Sequence, residues 1–221
     1  MVECAPCYLV ISSCDNMFYL KVSISVNNRK GAIMKLSKVL VLGLGVSLSS
    51  VSFANSAEVV EARALAKQFM GKLKPALGAA MKAGGPVHAI SVCKDKAPKI
   101  AQDISKSSGW DIKRVSLKNR SPIAEPDAWE TKVLNQFEQQ QAEGMKPKNI
   151  EYSEVVQENG QKTFRYMKAI GIGKGQPCLH CHGTNLNDGV KQKLQELYPN
   201  DKATGYTVGQ IRGAFSFKKA L

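Results

Sequence analysis

The chain has 221 residues, 31 basic against 18 acidic, a formal net charge of +13, and 43% hydrophobic residues. A chain this basic raises nucleic acid as a partner, but the lysines are scattered, no nucleic-acid-binding motif accompanies them, and an export signal argues against it. A solvated basic surface, suited to an acidic partner or an anionic membrane surface, is the reading that remains.

The first stretch, residues 1–33, holds Cys4, Cys7 and Cys14 without a clear motif, and Tyr8 stands after Cys4-x-x-Cys7 where a haem site needs histidine. We read it as an over-long N-terminal extension, with translation starting at Met34. Residues 34–54 then read as a signal peptide. Lys35 and Lys38 give a charged n-region, residues 39–48 an apolar h-region, and Ser52-Phe53-Ala54 a small-residue cleavage site. The apolar run is too short for a comfortable membrane span, so no stable span is expected once the signal is cleaved. The mature chain, residues 55–221, suits one periplasmic domain. Residues 1–54 carry five basic and two acidic residues, so the mature charge is about +10.

Leu65, Phe69, Leu73 and Leu77 recur every four residues and predict a helix over about 56–82, kinked at Pro75. Gly84-Gly85-Pro86 breaks it and starts a second helix, whose apolar face holds Val87, Ile90, Cys93, Ala97, Ile100 and Ile104, with Pro98 interrupting and Gly109 stopping it. Residues 111–117 alternate as a half-buried strand does. After a loop from Ser121 to Pro126, Asp127 caps a helix running towards Glu143, which Gly144 and Pro147 end. Extended runs over 151–157 and 162–170 flank Glu158-Asn159-Gly160-Gln161, a hairpin signal. Gly171-x-Gly173-x-Gly175 resembles a phosphate loop only superficially, lacking the βαβ setting. A helix over 190–198 and a strand with Ile211, Phe215 and Phe217 on one face complete the chain. An antiparallel sheet of about four strands, with helices before and within it, is α+β. It is not an all-helical arrangement.

Cys178-Leu179-His180-Cys181-His182 is the covalent attachment signature of c-type haem. Its two thiols can bond the porphyrin from one short helix while the histidine that follows ligates iron from the proximal side. Half a zinc site and a thioredoxin-like dithiol are the rival readings. The mature chain has only one other cysteine, Cys93, and two other histidines, and no parallel βαβ setting for a dithiol. We therefore read one covalently attached haem c. That leaves Cys93 without a disulfide partner within the chain, as an intermolecular pairing thiol, a small buried hydrophobe or a ligand. No methionine or histidine follows His182; Met70, Met81, Met145 and Met167 precede the motif and have ordinary readings. His88 lies one residue off its apolar stripe, and His180 is inside the attachment loop. Elimination puts Cys93 ahead as distal iron ligand, beside a water-bound or open site.

Together with the motif, Ala89-Ile90-Ser91-Val92-Cys93, Arg114-Val115-Ser116-Leu117-Lys118-Asn119-Arg120, Pro126-Asp127-Ala128-Trp129-Glu130 and Tyr198-Pro199-Asn200-Asp201-Lys202-Ala203, with Gly213-Ala214, resemble a known family. This is the Tll-like c-type haem domain, secreted single-haem proteins with a PAS-like fold. The segment after Arg120 departs from the pattern, with Ser121 and Ala124 where asparagines are usual. The resemblance implies a PAS-like antiparallel sheet with N-terminal helices, holding the haem, with His182 and Cys93 as axial ligands. A Cys93 thiolate favours ferric over ferrous iron, and a bond that weakens on reduction suits a redox or small-gas sensor. Arg114 and Arg120 are candidates for haem propionates, while Trp110, Trp129, Phe215 and Phe217 read as core. Without a transmitter domain in the chain, a sensor needs a separate signalling protein. A periplasmic electron carrier with a redox partner is the alternative. A peroxidase-like enzyme, for which His88 is the natural acid–base candidate, ranks last.

Overall fold

The computed structural model describes residues 56–221. The readings of residues 1–33 and 34–54 lie outside them. Ser56 accepts the Val59 N–H at 3.3 Å and starts α1, Ala57–Ser108, which ends at Gly109 in the left-handed region. Non-helical dihedrals inside α1 fall at Gly84 (φ −160°) and Gly85 (φ +66°), dividing it into two arms where the sequence places a break. The expected kink at Pro75 is absent from this pattern: Pro75 and Pro98 keep helical dihedrals. Both are exposed, as are Gly71 and Lys94 four residues before them, so water can serve the carbonyls that lose an N–H partner.

Strands β1 (Asp111–Val115), β2 (Glu151–Glu158), β3 (Gln161–Gly171) and β4 (Ile211–Ala220) form one antiparallel sheet in the order β1-β4-β3-β2. Asn159 (φ +52°) and Gly160 (φ +80°) close the β2–β3 hairpin, both in the conformation a two-residue turn of the primed type requires. Both arms of α1 cover one face. Phe69, Leu73, Ile100 and Ile104 pack there over Trp110, Ile112, Phe164, Tyr166, Phe215 and Phe217. Helix α2, Ala128–Ala142, covers the other through Val133, Leu134 and Phe137 over Val115, Met167 and Ala214. The expected α+β architecture is therefore what forms, and Trp110, Phe215 and Phe217 are core as read. Trp129 is half-buried against Tyr152 and donates to Glu154 at 2.9 Å.

Ile211 does not share a face with Phe215 and Phe217. It packs under α2 with Ala214. In the β3–β4 register, Ile170 opposes Gly213 and Gly171 opposes Ile211, so Arg212 is an extra residue that reverses the alternation. Gly213 is needed beside it, because a Cβ there would lie 2.3 Å from the Val115 carbonyl oxygen.

Two further elements complete the fold: the single-turn α3, Leu179–His182, and α4, Asp188–Leu197. Val190 and Leu194 of α4 bury against Ile90 in the second arm of α1, with Val87, Cys181 and Tyr198 at the margin. No helix among the described residues is long and apolar enough to cross a membrane.

Ion pairs tie the helices to the sheet. Asp127 and Glu130 form a reciprocal capping box at the start of α2, each accepting the other's backbone N–H at 2.8 Å. Fully buried Glu130 also accepts from Ser216 at 2.6 Å and pairs with Lys113 at 2.9 Å, with Arg165 at 3.5 Å. Arg165 is itself buried and reaches Asp127 at 2.6 Å. Removing Arg165 strands acidic groups beside the sheet, so Arg165→Met should cost about 3 kcal/mol, read as a lower urea midpoint at unchanged slope.

On the α1 side, Glu151 accepts from Arg63 Nε at 3.0 Å, Tyr166 at 2.7 Å and Lys168 at 3.1 Å. Burial alone would raise this carboxyl, but the three hydrogen bonds outweigh it and hold the pKa at about 2 against an ordinary 4.5. A folded pKa below the unfolded one means that the stabilisation is full above pH 4.5 and is lost as pH falls towards 2. Glu151→Gln should therefore flatten the acid limb of the stability curve in that window, by about 1–2 kcal/mol after solvent screening, measurable by urea unfolding at stepped pH.

Candidate functional site

Residues 178–183 form a compact turn. Cys178 O accepts from Cys181 N at 3.3 Å and His182 N at 2.9 Å, and Leu179 O accepts from Gly183 N at 3.0 Å. A Cβ at Gly183 would lie 2.5 Å from that same Leu179 oxygen, so this close approach needs glycine. Outward-facing backbone groups are taken by the segment after α4. His182 O accepts from Tyr206 N at 2.9 Å, and Gly183 O from Gly205 N at 3.0 Å. Arg120 clamps the turn from another direction. It donates to Cys181 O at 2.5 Å and to Asp201 at 3.0 Å, while Asp201 also accepts the Ala203 N–H at 2.8 Å.

The imidazole of His182 is held by its inner nitrogen. Nδ1 lies 2.7 Å from Ala203 O, which can only accept, so Nδ1 carries the proton and Nε2 keeps a free lone pair. Arg212 Nε also lies 3.1 Å from Nδ1. One nitrogen cannot both donate to the carbonyl and accept from the guanidinium, so Arg212 stands beside this N–H as a cation. Burial, then the charges of Arg212 and Arg120, push the His182 pKa well below its ordinary value. The ring is neutral at neutral pH, the form that ligates metals.

Both motif thiols are half-buried, and burial raises their pKa, that of Cys181 to about 11. Cys181 Sγ sits 3.9 Å from the Pro86 carbonyl, at the break between the arms of α1. Seven residues on, half-buried Cys93 lies within electrostatic reach of Cys181, Arg114, Arg120 and Tyr198. Burial raises its pKa and the two arginines oppose this. The second arm of α1 thus carries Cys93 to the turn holding Cys178, Cys181 and His182.

Arg114 has exposed surface, yet burial among protein atoms is the main influence lowering its pKa. Its guanidinium lies 5.4 Å from the Phe69 ring and makes no hydrogen bond or ion pair among the described residues. Arg120, read with it as a propionate contact, is engaged with Asp201, Cys181 and Ala203 and is largely buried. The other candidates sit apart: His88 and His180 are exposed, Met145 is 44% exposed, and Met167 is core beneath α2.

Sequence reasoning missed four groups here: Arg212, Asp201, Ala203 and Tyr206. Asp201 and Ala203 fall in the string that carries the family resemblance, but no local pattern told what they touch. Arg212 had only the neighbouring strand glycine as a signal, since such a glycine often marks a bulge.

Paired thiols and a neutral imidazole on one turn, facing a third thiol and an unpaired guanidinium, form a donor set suited to a tethered metalloporphyrin with acidic side groups. The model of the Tll0287-like family matches residues 46–219 of the chain. Among solved structures, the crystal structure of the cyanobacterial heme-protein Tll0287 is similar. It shares 23% identity, is covered over 96% of its length by 75% of this chain, and gives a TM-score of 0.55. At that identity the likeness speaks for the fold. No curated protein matches the chain.

The clamp on the turn can be tested by thiol chemistry. Arg120→Ala should loosen the turn by on the order of 2 kcal/mol, so that Cys178 and Cys181 of the haem-free protein alkylate roughly 30-fold faster than in the parent.

Proposed function

The chain belongs to the Tll0287-like family, and on that premise we propose that it is a periplasmic single-haem c-type protein acting as a redox or small-gas sensor. One observation carries the haem reading: both motif thiols share a turn with an imidazole whose Nδ1–H is bound to Ala203 O, leaving Nε2 to ligate. The heme-protein Tll0287 has a similar fold, which supports the same reading.

In this reading Cys178 and Cys181 would hold the porphyrin covalently, and His182 and Cys93 would be the ligands to its iron. Arg114, with no ion pair of its own among the described residues, takes a propionate. Arg120 is better suited to bracing the turn, since Asp201 already neutralises it. Haem c supplies a one-electron ferric/ferrous couple at such a site. The protein's part is to hold His182 neutral and oriented, to keep Arg114 and Arg120 near the Cys93 sulfur, where they oppose the rise that burial causes in its pKa, and to place Cys93 on an arm that can move.

That last feature favours a sensor over an electron carrier. Gly84 and Gly85 break α1 nine and eight residues before Cys93, and Pro86 at the break contacts Cys181. Release of the Cys93 sulfur therefore acts on a helix with a hinge at its root, whereas a carrier is served by coordination that stays fixed. A separate signalling protein or redox partner then reads the arm. Export rests on the signal read at residues 34–54.

The test is spectroscopic, on protein expressed with haem maturation. One haem should stay attached through denaturation, and Cys178→Ala with Cys181→Ala should abolish that attachment. The ferric protein should give a low-spin thiolate EPR signal that disappears in Cys93→Ala with haem retained. An unchanged Cys93→Ala spectrum removes Cys93 from the iron. A wild type with identical coordination in both oxidation states makes the protein a carrier.

A further inference from the structure

The bulge in β4 has a chemical outcome. Arg212 is the extra residue between Ile211 and Gly213, and its carbonyl leaves the ladder to accept from Ser116 Oγ at 2.8 Å and Tyr206 Oη at 3.4 Å. Bulges re-aim side chains, and this one turns Arg212 out of the sheet towards α3. There the guanidinium is fixed on three sides. Nη1 donates to Lys118 O at 3.3 Å, the Tyr206 ring lies 5.5 Å from Cζ, and Nε stands 3.1 Å from His182 Nδ1. The Tyr206 ring meets the His182 ring edge-on at 6.4 Å, so the same aromatic supports both groups.

No carboxylate forms an ion pair with Arg212 among the described residues, and nearby Asp201 is already bound by Arg120. A full positive charge is thus held beside the N–H of the imidazole. Where a metal-bound histidine gives its N–H to a carboxylate, the ring becomes a stronger donor to the metal. A neutral carbonyl with an adjacent cation works in the opposite direction, drawing electron density away from Nε2. A cation close to a redox centre also favours the state with one less positive charge, which is the ferrous one.

Resting on the haem reading, we propose that Arg212 is a positioning residue that raises the reduction potential through His182, offsetting the lowering that a Cys93 thiolate brings. A thiolate ligand favours the ferric state, and a fixed cation beside the imidazole would act against it.

The experiment is a spectroelectrochemical titration of the full-length holoprotein and of Arg212→Gln, Arg212→Met and Arg212→Lys, with circular dichroism on each. Arg212→Gln should shift the ferric/ferrous ratio at fixed potential about tenfold towards ferric, equivalent to a potential about 59 mV lower for a one-electron couple. Arg212→Lys, which keeps the charge, should recover most of the shift. Folded, haem-loaded Arg212→Gln with the wild-type potential overturns the proposal, as does a shift of equal size in Arg212→Lys. If Arg212→Gln does not fold, Arg212→Met keeps the stem against Tyr206 and gives the same reading. Loss of fold in both neutral variants makes Arg212 a structural residue and also overturns it. A wild type without haem defeats the haem reading instead, so the two failures are told apart.

Discussion

Arg120 donates to the Cys181 carbonyl at 2.5 Å and to Asp201 at 3.0 Å, with the Ala203 carbonyl at 3.4 Å, and its side chain is only 13% exposed. Through one guanidinium, the end of the segment after β1, the thiol-bearing turn and the loop after α4 are made a single body. A four-residue helix has too few internal hydrogen bonds to keep its shape in water. Its rigidity is borrowed from this clamp and from the backbone bonds of residues 205 and 206. Because Ala203 is placed by Asp201, and Asp201 by Arg120, the orientation of His182 also descends from the same interaction. A planar fork suits this task, since it engages a carboxylate and two carbonyls from one fixed plane. A lysine in its place offers a point charge and no such plane.

Much of the fold was legible because its signals are local. Gly84-Gly85-Pro86, the Asp127 cap and Asn159-Gly160 each fix a boundary through their own backbone preferences, and each boundary fell where those preferences put it. The face of Ile211 was not legible. It depends on one residue inserted against β3, and neither the spacing of apolar residues nor the presence of Gly213 says on which side of the bulge the alternation resumes. Pro75 leaves no mark in the dihedrals, which stay helical there, so the break within α1 rests on Gly84 and Gly85. At the site, Cys178, Cys181, His182 and Cys93 announced themselves by residue type and number. The Arg120–Asp201 pair, and the whole role of Arg212, are side-chain meetings across 81 and 30 residues of sequence, which no local pattern encodes.

The two faces of the sheet are stabilised differently. Under α2 the buried Glu130, Arg165 and Ser216 form a polar network in which the loss of one member leaves another stranded, a condition that favours one arrangement over neighbouring ones. Under α1 the contacts are apolar and aromatic at the centre, from Phe69 to Phe217, with polar ties only towards the edge, at Arg63, Glu151 and Tyr166. The arm that carries Cys93 belongs to this second face.

The buried thiols of the motif have a consequence for how the protein is made. A thiol raised from 9.0 to about 11, as Cys181 is, has about a hundredfold less thiolate at neutral pH than an ordinary cysteine. Thiolate is the species that forms disulfides and adds to electrophiles, so the closed turn is protected against oxidation and equally resistant to modification. Modification of Cys181 is therefore slower in the closed turn than in an open chain, whose thiol is solvated, and the Arg120 clamp stands between the two states.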